Sequence, residues 1–111
     1  MSATSDLTNA IILAVQESYP NARLWRMNNG AFKAPSGAWV RVVPKTISPP
    51  DIDGWISLNG VAVRLGIEVK RGRDYMKPGQ KVYKRELIAA GGIYIVARSV
   101  DQALAELATK A

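Results

Sequence analysis

With 111 residues, 48% of them apolar and 22% charged, the chain has the length and composition of one globular domain built on a single core. It contains no cysteine and no histidine. That excludes disulfide frameworks, thiolate nucleophiles, Ser-His-Asp triads and zinc sites built on cysteine or histidine. Fifteen Lys and Arg against nine Asp and Glu leave a net charge of +6, which points to a polyanionic partner, nucleic acid first.

Leu7, Ile11, Ala14 and Val15 recur at helical spacing. They predict a first helix, capped by Thr4 or Ser5 and ended at Tyr19-Pro20-Asn21. Residues 22–27 read as a short strand, followed by the turn signal Asn28-Asn29-Gly30. A basic loop over 33–37 leads to a second strand over 38–43. Three prolines keep the next stretch, 44–50, out of any central strand. Residues 52–58 and 61–70 then form a strand pair joined at Asn59-Gly60, a strong hairpin signal. In the second of these, Val61, Val63, Leu65, Ile67 and Val69 share one face. Arg64, Gly66, Glu68 and Lys70 share the other.

Beyond a basic loop over 71–77, Pro78 suits the first turn of a helix and Gly91-Gly92 its end. Tyr83, Leu87 and Ala90 make its apolar stripe, with Lys77, Lys81, Lys84 and Arg85 beside it. Residues 93–97 read as a buried strand, and Ser99-x-x-Gln102 as a capping box opening a last helix. The predicted order is αββββαβα, in one α/β domain over residues 1–111. Its mixed five-stranded sheet is flanked by helices: a meander of four strands, with the last strand joining in parallel after the helical crossover. No apolar run is long enough to span a bilayer, so a cytoplasmic protein without a membrane partner is expected.

The chemistry gathers in two places. Pro50-Asp51-Ile52-Asp53-Gly54 opens one strand, and Ile67-Glu68-Val69-Lys70 closes the next. Asp51 and Glu68 on adjacent strands can offer two carboxylates to Mg2+ or Mn2+, and the Val69 carbonyl a third oxygen. Lys70 points to the same side as Glu68, where its ammonium can orient a water or neutralise charge on a phosphate. Such a centre hydrolyses phosphodiesters without histidine or cysteine. Taken alone, Glu68 and Lys70 also fit an exposed same-face ion pair worth roughly 0–1 kcal/mol.

Pro50-Asp51-Ile52-x-Gly54, Ile67-Glu68-Val69-Lys70, Gln80 and Gly91-Gly92-x-Tyr94-x-Val96-Ala97-Arg98-Ser99, in this order and spacing, resemble the VRR-Nuc group of PD-(D/E)XK nucleases. The segment Trp25-Arg26-x-Asn28-Asn29-Gly30 is similar to that group's region ahead of the active site, and the likeness runs from Asp6 to about Leu107. The resemblance implies a restriction-endonuclease-like core, with metal ligation by Asp51 and Glu68 and catalysis by Lys70. Gln80 would face the active site from the start of the following helix. Asp6 would stand where the family carries a glutamate on its first helix, one methylene short of it. Asp53 occupies a position that is usually apolar in the family; it reads as a further acid near the metal or as a polar edge residue, the latter being favoured.

The function implied is a Mg2+- or Mn2+-dependent DNA endonuclease of phage or bacterial type. The family's minimal members resemble homodimeric resolvases of four-way (Holliday) junctions. A flap, nick or restriction-type nuclease, or a non-catalytic DNA-binding module on the same fold, are the alternatives. Arg26, Asn28, Asn29, Arg71, Arg73, Lys77, Lys81 and Lys84 are expected to contact DNA, with Tyr75 beside them. Trp25, Trp39 and Trp55 can stack on exposed bases, although packing in the core or at a sheet edge is the reading their strand positions favour.

Overall fold

The computed structural model describes residues 3–27, 31–41 and 46–111. Among these, helix α1 (Ala3–Ser18) is followed by strands β1 (Arg23–Arg26), β2 (Ala31–Lys33), β3 (Trp39–Arg41), β4 (Ile52–Leu58) and β5 (Val61–Val69). Helix α2 (Pro78–Ala89), strand β6 (Ile93–Ala97) and helix α3 (Val100–Lys110) complete the chain. The expected α/β class holds, with helices flanking a mixed sheet.

The sheet differs from the expected five strands. Among the described residues it has four, in the order β1-β4-β5-β6, antiparallel except for the parallel β5–β6 pair. Of the segment predicted as one strand over 38–43, residues 42 and 43 lie outside the described residues, and the described part does not enter the sheet. Instead β3 pairs with β2 in a separate two-stranded hairpin. The reason lies in the loop between them. Ala34 N–H donates to Ala38 O (2.8 Å) and Gly37 N–H to Ala34 O (2.9 Å), while Gly37 sits at φ 90°, so the chain reverses within a few residues. With this hairpin closed on itself, β1 pairs directly with β4. The predicted turn at Asn28-Asn29-Gly30 lies outside the described residues.

The hairpin at Asn59-Gly60 forms as its sequence predicts. Asn59 and Gly60 take φ 54° and 78°, the two positive values that match the twist of the flanking strands. The first helix begins at Ala3, earlier than predicted, so Thr4 and Ser5 fall inside it rather than ahead of it. Its Ile11 and Val15 are fully buried. They join Leu24, Ile52, Ile56, Leu65, Ile67, Ile93 and Ile95 from the sheet, and Ala103 and Leu107 from α3, in one core. Ser99 caps α3 by accepting the Gln102 N–H (3.0 Å). Gln102 Oε1 reaches back to the N–H of Arg98 (2.6 Å), one residue ahead of the position a capping box would use.

The opposite face of the sheet carries the polar residues, and only part of it is open. Helix α2 lies over its β5–β6 half. Gly66 permits this: an added Cβ would meet Pro50, Leu87 and Tyr83 at 3.0 to 3.6 Å. Glu68 and Lys70 are therefore buried between sheet and helix, and are not an exposed surface pair. Asp53 is buried as well, in the middle of the sheet, which corrects its reading as an edge residue. The Arg64 guanidinium grips its carboxylate through both Nε (to Oδ1, 2.8 Å) and Nη2 (to Oδ2), and the Gly54 N–H donates to Oδ1 (2.9 Å). Gly54 itself packs so closely on β1 that a Cβ would stand 2.0 Å from the Arg23 carbonyl oxygen.

Candidate metal centre and nucleic-acid interface

The register of β4 against β5 ends at Ile52↔Ile67, so Asp51 and Glu68 emerge together where the two strands part. Asp51 Oδ2 accepts the Val69 N–H (2.8 Å), which presses the Val69 peptide against this carboxylate. Glu68 is 3% exposed and Lys70 6%. Between them sits Gln80, from the third helical position of α2. Its Oε1 accepts from Lys70 Nζ and from the Lys77 N–H, both at 2.9 Å, and its Nε2 donates to Glu68 Oε1 at 3.2 Å. The Lys70 ammonium stands 3.8 Å from the same Glu68 oxygen. One amide thus holds both the lysine and the carboxyl, and the N-terminus of α2 holds the amide.

Among the described residues, Glu68 Oε2 is buried without a hydrogen-bond partner. A buried polar atom left unpaired costs about 1–3 kcal/mol. The consequence appears in the protonation of the group. Burial, then the neighbouring Asp51 carboxyl, push the Glu68 pKa up from 4.5 to about 8, against the opposing pull of Lys70. Tyr94, 2% exposed, lies on the same side of the sheet; burial, then the charges of Glu68 and Asp51, raise its hydroxyl well above the usual tyrosine range. Two carboxyls at one point, one of them with a bare oxygen, form a donor set that a hard divalent cation satisfies. Asp51, Glu68 and the Val69 peptide are the groups that fit it. Among the described residues no three acidic side chains are gathered, so protein carboxylates would supply two ligands at most.

Asp6 does not join them: it is exposed in the first turn of α1, and α1 packs on the apolar side of the fold. Arg71, Arg73 and Lys77 are exposed on the loop that leaves Lys70, and Lys81 and Lys84 on α2. The loop also carries Tyr75, 77% exposed. Arg26 is exposed on β1 and reaches Asn9 Oδ1 at 3.5 Å. Asn28 and Asn29 lie outside the described residues. Arg98, which was not among the residues picked from the sequence as functional, fixes this basic loop. Its guanidinium donates to the carbonyls of Gly72 (2.9 Å) and Asp74 (2.5 Å). Its signals in the sequence were its membership of the motif over residues 91–99 and its place directly after β6, which sets it beside the end of β5.

If the centre has the expected nuclease activity, Gln80 would act in it as a positioning group. Gln80→Leu is expected to slow single-turnover DNA cleavage by about 10–100-fold, the usual effect of losing an outer-shell partner of a metal site. Its melting temperature should stay within a few degrees of wild type, since the side chain is only half-buried. A rate within threefold of wild type at saturating metal would refute this role. Compared with known proteins, the chain matches no family model, no curated protein and no solved structure.

Proposed function

We propose that the protein is a metal-dependent DNA endonuclease with a PD-(D/E)XK-type centre of the VRR-Nuc kind. The observation that carries this reading is the unpaired, buried Glu68 Oε2 beside Asp51, with Lys70 held over the same carboxyl by Gln80. Bound between Asp51, Glu68 and the Val69 carbonyl, Mg2+ or Mn2+ would supply Lewis-acid polarisation of the phosphoryl oxygen and a lowered pKa for water. The chain's own groups do the rest. Lys70, kept from collapsing onto Glu68 by its bond to Gln80, presents an ammonium to the attacking water and to charge building on the phosphate. Arg71, Arg73, Lys77, Lys81 and Lys84 take the flanking phosphates, giving affinity without base reading.

One domain holds one such centre, so cutting two opposed strands requires two copies. A two-fold homodimer presenting its centres to a four-way junction is the arrangement proposed. Among the described residues no helix is long and apolar enough to cross a membrane.

The test is cleavage of labelled four-way junction, splayed-arm, linear duplex and single-stranded DNA, with Mg2+, with Mn2+ and with chelator. Metal-dependent cuts in symmetry-related strands of the junction alone support the resolvase. Metal-dependent cutting of the other substrates keeps the nuclease and discards the junction specificity. Binding without cutting under both metals sinks the enzymatic reading.

A further inference from the structure

On the polar face of the sheet, the half not covered by α2 carries an exposed aromatic pair. Trp25 on β1 and Trp55 on β4 meet edge to face, with ring centroids 5.6 Å apart and planes at 71°. Each ring keeps about two-fifths of its surface in solvent (42% and 41%). The register fixes where they stand. Trp25 pairs with Asp53, and Asp53 with Gly66, in one row across the face. Trp25 is then a diagonal cross-strand neighbour of Asp51, roughly 7–8 Å away at the backbone. Trp55 lies one row farther from the carboxylates, opposite Arg23. The Arg23 guanidinium is folded back onto the carbonyls of Pro20 (2.8 Å) and Ala22 (2.7 Å), so its cation is engaged there.

A cross-strand aromatic pair can serve the sheet alone. Three observations separate this one from that role. It lies on the polar face, outside the core, which is made on the other side. Among the described residues no helix covers it, because α2 is seated on Gly66 and Tyr94. It also borders the candidate metal centre on the side away from the basic loop of Arg71, Arg73 and Lys77. A nucleic-acid strand with its phosphate at Asp51 and Glu68 would meet cations on one side and two bare aromatic surfaces on the other. Bases locked in a duplex offer no face to such surfaces, whereas unpaired bases do.

We infer that Trp25 and Trp55 form a stacking platform for unpaired bases next to the scissile phosphate, so that the preferred substrate is a DNA strand opened or branched at the point of cutting. This rests on the nuclease reading for the meaning of the neighbouring carboxylates, while the binding it predicts is independent of cleavage.

The test uses Trp39→Phe protein, in which Trp25 and Trp55 are the only tryptophans. It is titrated in chelator with an oligo-dT of about ten nucleotides, within the usual site sizes of single-strand binders. Saturable quenching of the tryptophan emission is expected. In the full chain, Trp25→Ala with Trp55→Ala should weaken oligo-dT binding by about tenfold or more. Affinity for a blunt duplex should change by less than twofold. Absence of quenching at saturation overturns the platform, even if the double variant fails to fold. So does an equal loss, or no loss, on the two DNAs by a folded double variant. Wild-type protein that quenches as expected yet cuts no DNA with Mg2+ or Mn2+ would instead remove the nuclease reading and leave the platform standing.

Discussion

Glu68→Gln is expected to make the metal-free protein more stable while abolishing its activity. In the folded chain the Glu68 pKa stands at about 8 against an ordinary 4.5, so between those values the folded state holds a proton that the unfolded state has released. Stability contributed by this group is therefore present at the acid end of the window and is lost as pH rises toward 8. Glutamine keeps the shape, cannot ionise, and removes that loss. The gain should be small near pH 5 and reach about 1–3 kcal/mol at pH 8, the scale of one buried unsatisfied polar group. At roughly 4 °C or more per kcal/mol, a thermal melt reads it easily. The same substitution would take a ligand from the proposed metal, so cleavage should fall by more than about 100-fold, since even outer-shell partners can cost that much.

Metal binding by wild type should run the other way with pH. One proton leaves Glu68 as the cation enters, so Mn2+ affinity measured by calorimetry should rise about tenfold per pH unit until it levels off near pH 8. Mn2+ should correspondingly raise the melting temperature more at pH 8 than at pH 6. A Glu68→Gln protein that melts below wild type at pH 8 without metal would refute this account of the site.

Arg64→Ala is expected to be among the most destabilising single changes on the polar face. It leaves the Asp53 carboxylate, 1% exposed, with the Gly54 N–H in place of two guanidinium bonds. Breaking a buried pair from one side costs about 3–5 kcal/mol, because the remaining charge is stranded. The Arg64 side chain is itself 56% exposed, so water can reach the vacated space, which places the effect at the low end, about 3 kcal/mol. Replacing both partners together, Asp53→Leu with Arg64→Met, should recover most of it. Denaturant melts of the two variants provide the comparison. If the double change costs as much as Arg64→Ala alone, the pair is not the source of the effect.

The sequence made the local elements legible wherever the local signal decided the outcome. Asn59-Gly60 specifies its turn through two positive φ values, and Pro78 opens α2, because each acts through its own backbone. The meeting of Asp51, Glu68 and Lys70 was also legible from the strand period, whereas Gln80 was expected beside them only through the family resemblance. What failed depended on partners distant in the chain. The residues 31–41 could have paired with β1 or with themselves, and only the turn geometry at Ala34–Ala38 selects the latter. Asp53 read as an edge residue because nothing local announces Arg64, eleven positions away across a hairpin, as its partner. Alternation told which residues of β5 share a side, and was silent on whether a helix covers that side.

Helix α2 contains no fully buried residue, yet through Gln80 it holds the lysine and the glutamate of the candidate centre. Beyond those Gln80 bonds, its seat among the described residues rests on half-buried Tyr83 and Leu87, Tyr83 facing Tyr94, and on a backbone bond between Ser48 and Gly79. An element held this lightly opens more readily than the core beneath it. Amide hydrogens along residues 81–89 should therefore exchange faster than those of β5, and each opening takes Gln80 away from its two partners. On the proposed function, competence for reaction would be a property of a docked subpopulation. A phosphate backbone lying across Lys81 and Lys84 would favour that docked state, so the polymer to be cut would also help assemble the apparatus that cuts it.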